Sequence, residues 1–301
     1  MIAILFLAAY VLLSGGQTVL NKVYQTNVKM SAVSYSLYLI VMGTVAALCF
    51  FLMSGCDISG NAMTVIIGCI AGTIVIINML VMLLCMSKAN LAFMTVAQNA
   101  GLLIIPTLYG MIFLGESLTP IRIVGIALII AAFLVSFVGD LKKGSADGEK
   151  KTGKLGYIIC ILLFFTAGAG NVVHKAYTVS SATGSNEAYL CWINIFLVPV
   201  IIVFLLCCRI KSGKSFGQLT AGINFKYYIF VCIGSAIGCL GMVCSMQAMT
   251  RMPVSLYSPL YSSMLIIFLT LCSKFYFKEN VTKANYISVG LAILSAVASA
   301  M

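Results

Sequence analysis

Long apolar segments alternate with short polar segments along the whole chain. An apolar run of about 20 residues is long enough to cross the hydrocarbon core of a membrane as an α-helix. The pattern predicts ten such helices, near residues 2–21, 32–54, 63–86, 91–113, 120–139, 156–174, 188–208, 227–248, 254–273 and 284–300. We therefore predict an all-α integral membrane protein with ten transmembrane helices.

The composition leads to the same class of protein. Of the 301 residues, 62% are hydrophobic and only 8% are charged, which is too little charge for the surface of a soluble domain of this size. The N-terminus has neither a basic region nor a small-residue cleavage site, so the first apolar segment is predicted to be a retained helix. The predicted partner is the lipid bilayer, and the predicted location is the cell membrane, crossed many times.

The formal net charge of +11 does not predict a nucleic-acid partner. Most of the cations lie in short loops at the ends of apolar segments, where lysine commonly anchors a membrane helix.

The twelve cysteines lie mostly inside apolar segments and include no C-x-x-C pair. They predict neither a disulfide framework nor a metal site, because free cysteine behaves as a small hydrophobic residue.

The chain contains one polar helix end twice. "GGQTVLNKVY", residues 15–24, is matched by "GAGNVVHKAY", residues 168–177. "MSKANLAFMTVAQ", from Met86, is matched by "MTRMPVSLYSPLY", from Met249, and Glu116 corresponds to Glu279. Matches in the same order at nearly equal offsets indicate a duplication. We predict a first five-helix repeat over residues 1–143, a charged linker over 144–154 and a second five-helix repeat over 155–301.

An odd number of helices in each repeat has a geometric consequence. The second repeat enters the membrane from the opposite side, which gives a pair of repeats with inverted topology. Inverted repeats around a shared site are a recurrent plan in transporters, because exchanging the two conformations opens the site to the other side of the membrane.

One segment resembles a known family. "PTLYGMIFLGESLTPIRIVGIALIIAAFLVS", residues 106–136, is similar to helix 4, the Gly-Glu turn and helix 5 of EamA-type carriers in the drug/metabolite transporter superfamily. The second half carries a weaker version, "FKENVTKANYISVGLAILSAVAS", in which Lys278 replaces the glycine. The resemblance implies a secondary transporter of small organic solutes. It implies a central cavity lined by helices 1–4 and 6–9, with helices 5 and 10 as supports, and it does not fix the substrate.

Within the Gly-Glu turn, Thr119 and Pro120 are suited to the start of the next helix. We therefore interpret Glu116 as a turn or helix-end residue and not as a catalytic acid.

Polar side chains recur at helical spacing on several apolar segments. Lipid offers no hydrogen bonds, so such side chains need partners in protein or water. We predict a cavity for a small-molecule substrate that is lined by Ser14, Gln17, Asn21, Lys22, Asn78, Gln98, Asn99, Asn171, His174, Lys175, Trp192, Tyr257, Ser258 and Tyr261. The alternative is hydrogen bonding between helices, with both lysines extending to the membrane surface and the histidine as a buried, hydrogen-bonded imidazole.

The sequence predicts no enzyme, no catalytic residues and no cofactor. All seven acidic residues fall in loops or near segment ends, and the single histidine has no second metal ligand at a suitable spacing.

Export of cationic drugs, the alternative transport function, relies on a membrane carboxylate that is not found here. Lys22 and Lys175 favour anionic, zwitterionic or neutral solutes such as amino acids, and no coupling ion is indicated. A membrane scaffold or an intramembrane enzyme is a more remote alternative.

Two arguments about orientation disagree. All Lys and Arg residues except Arg122, Lys175 and Arg251 follow odd-numbered helices. The positive-inside rule then places the loops after odd-numbered helices in the cytoplasm and both termini outside. The family resemblance implies the reverse. We adopt external termini as the prediction, because the charge distribution is a direct property of this chain.

Overall fold

The structure, a computed structural model, describes residues 2–28, 31–88, 91–116, 119–146, 154–180, 184–212, 224–275 and 283–300. Within these ranges it is all-helical, with ten α-helices and one single-turn 3-10 helix at Phe225–Tyr227. The α-helices are α1 Ile2–Asn27, α2 Ala32–Met53, α3 Ala62–Lys88, α4 Leu91–Phe113, α5 Pro120–Ala146, α6 Lys154–Val179, α7 Asn186–Ser212, α8 Tyr228–Met249, α9 Val254–Phe275 and α10 Lys283–Ala300. Within the described residues, the prediction of ten helices is therefore confirmed.

Among the described residues, seven helices are long and apolar enough to cross a membrane, by their length and composition. They are α1, α2, α3, α6, α7, α8 and α9, while the apolar stretches within α4, α5 and α10 are shorter. Large apolar side chains are exposed on these helices, for example Leu5, Ile112 and Ile158. Contiguous exposed apolar surface of this kind is suited to contact with lipid. The protein is therefore a multi-pass membrane protein.

Polar residues cap two of the helix starts. Ser31 precedes α2 and forms a reciprocal capping pair with Ser34, with the Ser34 amide donating to the Ser31 hydroxyl at 3.1 Å. Ser185 caps α7 by accepting from the amide of Ala188 at 3.0 Å. Helix α5 begins at Pro120, the position predicted for it.

Helix α5 extends beyond its predicted end near residue 139 and continues to Ala146. The apolar pattern ends there, but the leucine and lysines that follow are good helix formers, so the helix continues past its apolar part. The sequence pattern predicted only the apolar part of the helix. Residues 147–153 of the predicted linker lie outside the described residues.

The chain divides into two compact units by its internal packing. Unit 1 comprises Met1–Val11, Ile77–Ala176 and Gln247–Met301, and unit 2 comprises Leu12–Ile76 and Tyr177–Met246. Each unit contains segments from both halves of the sequence. The predicted repeats follow sequence similarity and not packing, so their boundaries stay a prediction.

In unit 1, helices α4, α5, α10 and α9 pack in a ring, each against the next. The centre of the ring is a buried cluster of Leu103, Ile129, Ala132, Phe133 and Ala292. The hydroxyl of Ser295 on α10 donates to the carbonyl of Gly125 on α5 at 2.7 Å, which fixes these two helices against each other. The ring therefore forms the packed core of these four helices in unit 1.

Helices α4 and α6 of unit 1 cross at two glycines. A Cβ atom at Gly101 would overlap the carbonyl group of Phe164, and one at Gly168 would lie 2.5 Å from the Gly101 oxygen. Only glycine permits backbones to approach so closely, which is the usual role of small residues between membrane helices.

In unit 2, helices α2 and α7 pack along each other. Gly43 on α2 lies against α7, where an added Cβ would be 2.9 Å from Val198. The end of α1 also packs into this unit. The Tyr24 hydroxyl donates to that of Tyr228 at 3.1 Å, and the Tyr24 ring stacks on Tyr38 of α2.

Candidate functional site

Helix α9 begins without a capping side chain of its own. The residue before Val254 is Pro253, whose carbonyl accepts from the amides of Leu256 at 3.2 Å and Tyr257 at 2.9 Å. Proline has no side-chain acceptor, so the first amides of α9 need a partner from elsewhere in the chain.

Glu116 supplies that partner from the turn between α4 and α5. One carboxylate oxygen accepts from the amide of Val254 and the other from the amide of Ser255, both at 2.9 Å. Two glycines make room for this arrangement. Gly115 has a φ of +63°, and a Cβ at Gly110 would lie 2.6 Å from the carboxylate. Glu116 therefore lies in a turn, as predicted, but it caps the distant helix α9, whose N-terminus favours negative charge.

Lys175 takes the corresponding position at the end of α8. Its ammonium donates to the carbonyls of Met249 at 2.7 Å and Met252 at 3.2 Å, and only 6% of the residue is exposed. Helix C-termini favour a cation for the same electrostatic reason that N-termini favour an anion. The ammonium also interacts electrostatically with the Glu116 carboxylate. Lys175 thus points into the protein, and we call it and Glu116 the clamp.

A third charged residue, Arg251, lies in the same turn but on its surface. Its guanidinium donates to the carbonyl of Gln247 at 2.7 Å and lies 5.1 Å from the ring centre of Phe6 on α1. The residue is exposed, so its contacts compete with water. Arg251 and Lys175 therefore bond carbonyls at the same helix end in different surroundings.

An aromatic stack lies beside the clamp. The ring centres of Tyr10 on α1 and Tyr261 on α9 are 4.8 Å apart, and those of Tyr257 and Tyr261 are 6.1 Å apart. Tyr257 is buried in an apolar cluster with Leu7, Ala248, Met249, Met252 and Leu260. The structure therefore brings two predicted site residues, Tyr257 and Tyr261, together with a tyrosine from α1.

Helix α9 also carries buried hydroxyl groups. Within the described part of the chain, those of Ser255, Ser258 and Ser263 have no hydrogen-bond partner. Pro259 lies inside the helix and removes the amide that the carbonyl of Ser255 would otherwise accept. Buried polar groups in a membrane protein require a partner, and water or a polar solute can supply one.

The predicted site residues of α1 in unit 2 lie against α8. A Cβ at Gly238 would lie 2.5 Å from the side-chain amide carbon of Gln17, and one at Gly234 would lie 3.5 Å from the Asn21 oxygen. The Ser14 carbonyl accepts from the Thr18 hydroxyl within α1 itself. The contacts of Gln17 and Asn21 support the alternative of contacts between helices at these two positions.

Trp192 on α7 binds the loop between α2 and α3. Its indole nitrogen donates to the carbonyl of Ile58 at 3.1 Å. The loop is shaped by Asp57, which accepts from the amide of Ser59 at 2.7 Å. The side-chain and backbone hydrogen bonds from Ser59 hold the pKa of the Asp57 carboxyl below its usual value. Trp192 therefore has a structural partner in unit 2.

The remaining predicted residues lie on α1, α3, α4 and α6. The Asn78 amide on α3 donates to the Thr166 hydroxyl on α6 at 3.1 Å, which again connects two helices. His174 is buried next to Lys175. Partial burial, which suits either role, is found at Lys22, Gln98, Asn99 and Asn171.

No metal site is apparent in the described ranges, where no three His, Cys, Asp or Glu side chains are grouped closely enough to hold an ion. Cys85 and Cys160 are in contact there, with sulfur atoms 3.9 Å apart inside a buried cluster with Met94, Ile159 and Leu163.

No family model matches the sequence, and no curated protein does. A crystal structure whose description names no activity is similar to this chain, with a TM-score of 0.72 over 98% of this chain and 95% of that one. The two sequences are 15% identical, so the similarity shows the fold alone. The class defined by these findings is an all-helical, multi-pass membrane protein whose fold has a full-length counterpart among solved structures.

Proposed function

We propose that the protein is a secondary active transporter of small organic metabolites, of the EamA type, that works by alternating access in the cell membrane. In this proposal two inverted five-helix repeats exchange conformations around a central solute site. Helix packing and side-chain chemistry both support it.

The observation that carries the proposal is the pairing of counterpart helices. Within unit 1, α4 packs against α9 and α5 against α10; within unit 2, α2 packs against α7. In each pair the second helix follows the first by five helices. Two repeats related by a two-fold axis meet in this way, because a helix next to the axis contacts its own counterpart. With five helices per repeat, the axis lies in the membrane plane, as in transporters built from inverted repeats.

Equivalent side chains give further support for a duplication. Tyr24 and Tyr177, which correspond in the repeated motif, are both buried near the ends of α1 and α6. Tyr24 stacks on Tyr38 of the following helix with ring centres 5.3 Å apart, and Tyr177 stacks on Tyr189 of its following helix at 3.9 Å. The same residue type therefore makes the same kind of contact in both halves.

The chemistry of the described residues favours neutral, zwitterionic or anionic solutes. The Glu116 carboxylate is occupied by two backbone amides of α9. The acidic residues within the described helices are Asp140, near the end of α5, and Glu187, in the first turn of α7. An exporter of cationic drugs needs a carboxylate within the membrane to bind its cargo. The tyrosine stack and the serine hydroxyls of α9 are suited to uncharged polar groups.

A thermal-shift screen tests the proposed function. Purified protein would be heated with amino acids, carboxylates, nucleosides and quaternary ammonium compounds, because a ligand that binds the folded state raises the Tm. We expect a solute from the first three classes to raise it. Stabilisation by quaternary ammonium compounds alone would favour the cationic exporter, and no response in any class would argue against a solute carrier.

A further inference from the structure

We propose that the clamp of Glu116 and Lys175 is the gate at one end of the transporter, and that its opening exposes the buried serine hydroxyls of α9. The inference rests on the proposed function, since a gate has a use only in a protein that admits a solute. It assigns to Lys175 a conformational role in place of the solute-binding role expected from the sequence.

The clamp joins segments that are distant in sequence. Glu116 belongs to the α4–α5 turn and Lys175 to α6, whereas the groups that they bind belong to the end of α8 and the start of α9. Ordinary helix caps are local, as Ser31 is for α2. Loss of the clamp therefore releases one helix connection from two other segments of unit 1 while every helix stays intact.

The open state of such a gate is physically accessible. The amides of Val254 and Ser255 and the carbonyls of Met249 and Met252 lie at helix ends, where water can satisfy them. The two charged side chains also regain hydration when they separate. In the closed state the two charges attract each other and each is bonded to backbone groups, which makes the burial of Lys175 tolerable.

Close to the clamp, α9 carries a buried hydroxyl group that a polar solute could contact. Glu116 bonds the amide of Ser255, and Ser258 follows less than one helical turn later with 2% of its surface exposed. Its hydroxyl has no partner in the part of the chain that the structure describes. Opening of the α8–α9 connection would expose this hydroxyl to solvent.

Cysteine labelling measures this opening without knowledge of the solute. The full-length chain, with its twelve cysteines replaced and Ser258→Cys added, would be treated in detergent with a water-soluble maleimide. Sulfur in place of an unpartnered hydroxyl is a small change at this site. We expect slow labelling with the clamp intact. Glu116→Gln and Lys175→Met should each raise the rate at least about tenfold, because each change removes a charged group whose hydrogen bonds hold one end of the α8–α9 connection.

Arg251→Gln is the matched control. Arg251 bonds a carbonyl of the same helix end but is exposed, so its loss should leave the labelling rate within about twofold of the parent. The double variant Glu116→Gln/Lys175→Met removes both charges together. The labelling rate of the double variant should lie below the parent rate multiplied by both single-variant increases, because both changes release the same α8–α9 connection.

A lower Tm in both single variants, with unchanged labelling at position 258, would overturn the proposal and leave the clamp as a structural cap. The same holds if Arg251→Gln raises the rate as much as the clamp variants do. Failure of the proposed function would show separately: no solute would bind or be transported, whatever the labelling rates are. A solute that binds while labelling ignores the clamp would retain the transporter and exclude the gate.

Discussion

Single residues decide how closely the helices of this protein approach each other. Gly101 and Gly168 bring two backbones into contact, and Gly110 leaves the space in which the Glu116 carboxylate folds back. Gly170, two residues beyond Gly168 on the same helix, has no heavy atom within 4 Å of an added Cβ. Glycines on one helix are therefore not equivalent, and the difference comes from what each position contacts.

Alanine substitutions test this distinction. Gly101→Ala and Gly168→Ala should each lower the free energy of unfolding by about 1–3 kcal/mol, because the new methyl group meets backbone atoms that cannot turn away. Gly170→Ala should leave stability unchanged or raise it slightly, since alanine has the higher helix propensity. Unfolding by heat in detergent measures all three. Equal losses at the three positions would show that the close crossing of α4 and α6 is absent.

At the scale of elements, the sequence predicted the ten helices but not which distant segments cap or contact them. Apolar length and local capping residues such as Ser31 are visible in the chain itself. The cap of α9 is not, because Pro253 shows only that a cap is missing and Glu116 lies far away in sequence. The same limit applies to the site: Gln17 and Trp192 were predicted as cavity residues from their polarity, and polarity alone does not show that α8 packs against Gln17 or that the α2–α3 loop bonds Trp192. Their place in a cavity stays a prediction.

A double-mutant cycle tests the contact between α3 and α6. If Asn78 serves mainly to bind Thr166, the alanine variants at these positions should be coupled by roughly 0.6 kcal/mol, the average for hydrogen bonds between membrane helices. The control cycle pairs Asn78 with Thr107, whose hydroxyl bonds the carbonyl of Leu103 in its own helix, and should be additive. Additive effects in the first cycle, with loss of solute binding in Asn78→Ala, would assign Asn78 to the cavity instead.

At the scale of the whole molecule, the charge distribution predicts the orientation. Native Cys56 is exposed in the loop after α2, and Asn224 is exposed in the loop before α8. By the positive-inside rule the first loop is external and the second cytoplasmic. In intact cells, an impermeant maleimide should label a chain whose single cysteine is Cys56. It should label a single-cysteine chain carrying Asn224→Cys only after lysis, and the reverse result would give the orientation that the family resemblance implies.

Solute counterflow tests the central claim, that the protein carries solutes by alternating access. Proteoliposomes loaded with the solute selected by thermal shift would be diluted into a trace of the same solute in labelled form. A carrier that exposes its site to one side at a time exchanges internal for external solute, so the label should accumulate transiently above its equilibrium level and then decline. Uptake that only approaches equilibrium, or no uptake beyond that of protein-free liposomes, would contradict the account.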